Sequence, residues 1–138
     1  MLLETRRAPA NDKERLIDSV DKALESWATY APYLEFFRRQ VRRSRGVAAE
    51  EVPDDVITMS SRFVLRDDHS GEIAAYTLVY PEDEALTHGK VSVLSPMGMA
   101  LYGARVGADV CWMSSGGPRV ATVRRLLYQP EAEARDHR

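Results

Sequence analysis

The segment VSVLSPMGMALYG, residues 91–103, decides the predicted fold of this chain. It begins as a short apolar strand and continues into Ser95 and Pro96, a pair that is typical of a helix start. Serine accepts hydrogen bonds from the free amides of the first turn, and proline fits the first helical position. The pattern therefore predicts a strand that leads directly into a brief helix over residues 97–102.

Strand patterns surround this helix. Residues 67–71 carry the turn residues of a hairpin loop, and Gly107 and residues 114–118 mark two further turns. The first of these strands, over residues 56–65, is expected to bend at Ser60-Ser61. We expect strands over residues 56–65, 73–80, 91–94, 110–113 and 121–128. Together they predict a small, strongly bent antiparallel sheet crossed by one short helix.

The N-terminal part of the chain has helical periodicity instead. Residues 11–29 place apolar side chains at helical spacing, with Asn11 or Asp12 as the cap. A second helix is expected from Pro32 to Gly46. Because the connection between the two helices is short, they form an antiparallel hairpin, a short coiled coil. The fold class is α+β: this hairpin, followed by the bent sheet.

Charge divides the chain in the same way. Up to residue 48 there are ten Lys and Arg residues against seven acids, whereas the remainder has nine against fourteen. An acidic, proline-containing stretch over residues 49–54 predicts a linker. We therefore expect a helical hairpin over residues 1–48, a sheet domain over residues 55–131 and a polar tail over residues 132–138.

Composition excludes several classes of protein. The sequence contains no apolar run of membrane-spanning length and no secretory signal, so we expect a cytoplasmic protein. The single Cys111 lies in a strand-like run, which favours a small buried hydrophobe over a reactive thiol. The three histidines are scattered, and a zinc site is not expected.

Five arginines are concentrated at the end of the second predicted helix. They are Arg38, Arg39, Arg42, Arg43 and Arg45. They could bind nucleic-acid phosphates or an acidic protein surface. Alternatively, they oppose the negative end of the helix dipole and keep an exposed face solvated, which is the interpretation we favour.

Five short motifs occur in the order and at the spacing of a known family. They are residues 55–61, residues 77–80 with Pro81, the Ser-Pro-x-Gly-x-Ala-Leu-x-Gly block at 95–103, Gly116-Gly117-Pro118, and residues 127–131. This part of the chain resembles the FK506-binding-protein-like C-terminal domain of the GreA/GreB transcription elongation factors. It resembles more closely the Rnk branch, the regulators of nucleoside diphosphate kinase, which are short-armed relatives.

The resemblance implies that RNA polymerase is the partner. In Gre-type proteins the corner at the short helix faces the polymerase near its secondary channel. The matching residues here are Ser95, Pro96, Met97 and Gly98. Alternatively, each of these four residues serves only the local structure at the start of the helix. The chain departs from the family pattern at Ala108 and Ser115, which puts contact details rather than the fold in question.

The resemblance also bears on catalysis. Gre factors stimulate transcript cleavage with adjacent carboxylates at the hairpin tip, which help to hold magnesium. Here the tip contains Trp27, Thr29 and Tyr30 and no acid, and Glu25 and Glu35 lie about a turn away as solvated residues. We expect no catalytic residue, metal or cofactor, and no stimulation of cleavage. Trp27 and Tyr30 either contact a partner or close the hairpin.

Two other functions remain as alternatives. A peptidyl-prolyl isomerase needs an apolar pocket lined by aromatic side chains, and the predicted sheet domain contains few of these. Direct nucleic-acid binding through the arginine run would depend steeply on salt. We expect it to be at most a supporting contact. No membrane or small-molecule substrate is implied, and we expect a monomer.

Overall fold

The computed structural model describes residues 7–26 and 31–136. Within them lie four helices: α1 (Ala10–Ser26), α2 (Ala31–Arg43), α3 (Pro96–Leu101) and α4 (Pro130–Asp136). The strands are β1 (Arg7–Pro9), β2 (Arg45–Val47), β3 (Arg62–Asp67), β4 (Ile73–Val79), β5 (Lys90–Ser92), β6 (Asp109–Ser114) and β7 (Gly117–Tyr128). None of the helices in these ranges is long and apolar enough to cross a bilayer.

The predicted helical hairpin is confirmed. α1 buries Leu16, Val20 and Ala23, which recur at spacings of three and four and therefore share one face. α2 buries a matching stripe that includes Leu34 and Phe37. The described part of α1 ends at Ser26, so the remainder of the predicted helix lies outside the described residues.

The end of α2 differs from the prediction. The helix stops at Arg43 rather than continuing to Gly46. Residues Arg45–Val47 then pair in parallel with Arg7–Pro9, so that Gly46 lies opposite Ala8 in a small two-stranded sheet. Helical periodicity could not reveal this pairing, because its partner strand lies more than thirty residues away in sequence.

A five-stranded sheet forms the rest of the molecule, in the order β5-β4-β3-β7-β6. Four of its strands pair antiparallel, as predicted. The first of them, β3, begins at Arg62, so residues 56–61, which were predicted to belong to it, lie outside the strand. β5 pairs in parallel with β4, so the sheet is mixed rather than fully antiparallel. The reason lies in residues 81–89, which form two 3-10 turns and carry the chain back before β5 begins. A tight hairpin would have reversed its direction.

The hairpin and the sheet share one hydrophobic core. Leu16 and Leu34 of the hairpin belong to the same buried cluster as Phe63 and Val123 of the sheet. Phe37 of α2 meets Tyr102 edge to face, with ring centroids 6.3 Å apart. The two predicted modules are therefore packed against each other.

The predicted polar tail is helical as far as Asp136. Its first turn is anchored by Gln129, whose amide nitrogen donates to the carbonyls of Pro53 and Val56 at 2.8 and 2.7 Å. Arg135 donates to the carbonyl of Ala49 at 2.7 Å. The end of the chain is thus fastened to the segment that the sequence predicts as a linker.

The prediction for Cys111 was wrong. Its thiol is exposed, because side chains alternate along β6 and Val110 and Trp112 take the inward positions. Strand pattern alone did not show which of the two alternating sets would face the core.

Candidate functional site

The corner at the start of α3 is held by side-chain hydrogen bonds and by close backbone packing. Ser95 Oγ accepts a hydrogen bond from the Gly98 amide at 3.0 Å and donates to the Ser92 carbonyl at 2.7 Å. The predicted cap and the proline at the first helical position are confirmed. Gly98 is packed so tightly that a Cβ atom would lie 1.9 Å from the Ser92 oxygen.

The four residues predicted to contact a partner therefore differ in what they present. Ser95 is engaged as the helix cap, and Gly98 is buried. Met97 is partly buried and packs against the core. Pro96 is exposed at the corner. The structure brings all four residues together but leaves mainly Pro96, and part of Met97, exposed to solvent.

An open groove of about 560 Å³ adjoins this corner. It lies between α1 and the turn after β4, and Leu94, which precedes the cap, forms part of its wall. The guanidinium of Arg15 lies 3.7 Å from the ring centroid of Tyr80 and is 3.1 Å from Glu82 Oε1. Burial raises the pKa of the Tyr80 hydroxyl, so that it stays protonated at neutral pH. The groove wall thus combines the Arg15–Glu82 ion pair with apolar surface from Ala23, Pro81 and Leu94.

Asp12 forms a junction that sequence reasoning missed. It was predicted as a helix cap, but its carboxylate accepts hydrogen bonds from the Met59 amide at 3.1 Å and the Tyr102 hydroxyl at 3.3 Å. Burial is the main reason that its pKa is raised to about 6, with a smaller contribution from Glu131. No sequence signal marks this contact, since its partners lie 47 and 90 residues away.

The hairpin tip, with Trp27, Thr29 and Tyr30, lies outside the described residues. Glu25 and Glu35 on either side of it are both exposed. Across residues 7–26 and 31–136, no cluster of three His, Cys, Asp or Glu side chains could hold a metal ion.

The arginine run is only partly available for binding. Arg38 is paired with Asp21 of α1 at 2.6 Å, which ties the two helices together. Arg39, Arg42 and Arg43 lie exposed on α2, and Arg45 is exposed in β2. The run is therefore an exposed basic face with one of its members neutralised.

The aromatic side chains of the sheet bear on the prolyl isomerase alternative. Phe63, Tyr80 and Tyr102 are all buried in the core. They fill the interior beneath the sheet and do not line an open pocket for a proline ring. These three are half of the six aromatic residues between positions 55 and 131, so the sheet domain offers few others for such a site.

The described structure combines a short helical hairpin, a curled mixed sheet and a capped helix at one corner of that sheet. Residues 52–128 match the family described as "Transcription elongation factor, GreA/GreB, C-term". Because this match spans more than half of the chain, the protein belongs to the GreA/GreB family.

Two kinds of similar protein support this assignment. The Regulator of nucleoside diphosphate kinase of Escherichia coli K12 is 40% identical over 120 residues, which cover 83% of this chain and 86% of that protein. Transcription elongation factor GreA of Syntrophomonas wolfei is 32% identical over 72 residues, 52% of this chain and 45% of that one. These relatives are named as regulators or factors, not as catalysts.

A solved structure agrees at the level of the fold. The prokaryotic transcription elongation factor GreA/GreB from Nitrosomonas europaea superposes with a TM-score of 0.75 and 29% sequence identity, covering 89% of this chain and 99% of that one. The sequence-based assignment to a Gre-type fold is confirmed.

Proposed function

We propose that this protein binds RNA polymerase near its secondary channel and regulates transcription without stimulating transcript cleavage. It acts by occupying the channel entrance or by competing with other factors there, in the cytoplasm. Family membership supports the polymerase as partner. The observation that carries the proposal is the corner at α3, where the Ser95 cap and the close packing of Gly98 hold Pro96 exposed in a fixed position.

The docking corner is suited to a protein contact. A rigid proline loses little conformational entropy on binding, and its apolar ring is flanked by the partly exposed Met97. The adjoining groove contributes charged groups that could orient a partner, including Arg15 and Glu82. A small apolar centre beside polar groups is a usual arrangement for a protein interface.

Substitution of Pro96 tests the docking corner. In Pro96→Asp, the carboxylate would be desolvated in the interface, whereas α3 itself tolerates an acid in its first turn. We expect retention on immobilised core RNA polymerase to fall by about tenfold or more.

Pro118→Asp is the matched control, since Pro118 is likewise an exposed proline and lies on β7, where it pairs with Met113 of β6. Equal retention of the two variants would contradict the docking site. If the unsubstituted protein and core polymerase eluted separately from a sizing column at micromolar concentrations, the proposed function itself would be wrong.

The second part of the proposal concerns the tip. Residues 27–30 contain no Asp or Glu, and hard carboxylate oxygens are what a second magnesium ion would need. We expect that adding the protein to a stalled elongation complex leaves the nascent RNA at full length, with a cleavage-competent Gre factor as the positive control. Magnesium-dependent shortening of the transcript would overturn this part alone.

A further inference from the structure

The sheet has an outer face that the proposed docking corner does not use. Phe63, Leu78 and Val123 point into the core, so the side chains that alternate with them lie on the opposite, outer side. One row of paired residues crosses this outer face, from Lys90 on β5 through Thr77 and Arg62 to Tyr128 on β7. The neighbouring row runs from Ala75 through Val64 to Arg125.

Two irregularities in β7 add outward-pointing side chains to this face. The pairing of β3 with β7 shifts register twice, between Val64 and Leu65 and between Arg62 and Phe63. At such a bulge two residues of one strand oppose one of the other. Between the core residues of β7, two consecutive side chains therefore face outward instead of one. The doubled positions are Arg124 with Arg125, and Leu127 with Tyr128.

The outer face gathers the unpaired positive charge of this part of the chain. From residue 49 onward, within the described residues, four basic side chains have a partner: Arg66, Arg105, Arg119 and Arg135. The other four have none, and all lie in the two outer rows or at their bulge: Arg62, Lys90, Arg124 and Arg125. The two rows contain no carboxylate.

Glu84 lies beside the Lys90 end of this face, where the Ser92 amide donates to it at 3.3 Å, and the other neighbouring acids lie at the opposite end. There Asp68 is paired with Arg66, and Thr122 is hydrogen-bonded to Asp68 and Asp109. Basic side chains are thus concentrated at one end of this face, although the chain beyond residue 48 is acidic overall. Neighbouring cations that are not paired with carboxylates repel one another, so an anionic ligand would stabilise this arrangement.

We infer that this outer face, defined by Arg62, Lys90, Arg124, Arg125 and Tyr128, binds single-stranded nucleic acid. The four cations spread over about 14 Å, three strand spacings, and would follow a phosphate backbone. Tyr128 is 44% exposed and offers a ring on which a base can stack, and the guanidinium planes of the arginines add further stacking surfaces. Within the two rows and their bulges, four cations lie beside two half-exposed side chains, Leu127 and Tyr128, and the exposed Ile73 lies in the next row. This excess of charge favours a polyanion over an acidic protein surface.

This site is separate from the arginine run on α2 and does not depend on polymerase binding. The test is fluorescence anisotropy with the full chain and a labelled oligouridine RNA of about 12 nucleotides, without polymerase. We expect saturable binding whose logarithmic affinity falls with the logarithm of salt concentration at a slope of about −3, as four phosphate contacts require.

Matched variants locate the site. Arg62→Ala with Arg125→Ala should weaken binding by about tenfold or more and reduce the salt slope by about 1.4. Tyr128→Leu, which keeps an apolar side chain but removes the ring, should weaken it by about fivefold or more. Arg39→Ala with Arg42→Ala removes the same charge from α2 and should change affinity by less than about threefold.

The inference is overturned if the α2 variant weakens binding as much as the outer-face variant, because the interaction then follows overall charge. It is also overturned if the unsubstituted protein shows no saturable binding at low salt. If RNA is not bound and the outer-face variant instead loses core polymerase, the face is a protein contact. All substituted side chains are exposed, and circular dichroism would verify that each variant is folded.

Discussion

At the scale of the residue, Asp12 joins α1 to the segment before β3 and to the end of α3, and its burial as a carboxylate lowers stability. Its carboxylate accepts two hydrogen bonds, from Met59 and Tyr102, but burial raises its pKa from 3.8 to about 6. The native state therefore holds this proton more tightly than the unfolded chain does. Between pH 4 and pH 6, approximately, the free energy of unfolding should decrease as pH rises, and above that range the contribution of Asp12 should be constant.

Asp12→Asn tests this assignment. The amide keeps an acceptor oxygen for Met59 and Tyr102 but carries no charge to desolvate. We expect the pH-dependent decrease to be lost and the free energy of unfolding at pH 7 to rise by about 2 kcal/mol. Urea denaturation across this pH range measures both. Asp18→Asn, on an exposed position of α1, is the control. An unchanged pH profile in Asp12→Asn would contradict the account.

At the scale of the element, α3 depends on how closely its first turn approaches the end of β5. Ser95 caps the helix, and Gly98 passes directly over the Ser92 carbonyl. Both atoms that a Cβ on Gly98 would meet first belong to backbone, at 1.9 Å from Ser92 O and 2.7 Å from Val93 Cα. The exposed position of Pro96 therefore follows from a contact that only glycine permits.

Gly98→Ala should destabilise the protein by about 3 kcal/mol, because the backbone of β5 or α3 must move to admit the methyl group. Gly116→Ala is the comparison, since a Cβ there meets nothing nearer than the Ser114 hydroxyl at 3.9 Å. Urea denaturation of the two variants measures the difference. If both alanines were tolerated equally, the close approach of α3 to β5 would be refuted.

At the scale of the whole molecule, the hairpin and the sheet should unfold together. Phe37 of α2 is buried against Tyr102, whereas its neighbour Phe36 is 56% exposed. The shared core means that neither part retains its buried surface without the other. This packing also fixes the direction in which α1 and α2 leave the sheet.

Phe37→Ala should lower the free energy of unfolding by about 3 kcal/mol, and Phe36→Ala by less than about 1 kcal/mol. Both should unfold in a single transition when followed by far-ultraviolet circular dichroism and by tryptophan fluorescence. Two separated transitions would show that the hairpin and the sheet are independent domains.

The sequence by itself determined the structural features that depend on only a few neighbouring residues. The cap at Ser95, the turn at residues 67–71, the helical stripe of α1 and the family motifs are all local signals. They were enough for the α+β fold and for the Gre assignment, because caps, turns and periodicity depend on interactions between residues close in the chain.

Only the tertiary structure decided the features that join distant residues. These are the parallel pairing of β5, the exposure of Cys111, the burial of Asp12 and the gathering of Arg62, Lys90 and Arg125 on one face. Each depends on strand register or on which face meets the core. A shift of one residue in register exchanges the two faces of a strand, so these features exist only once the whole chain is packed.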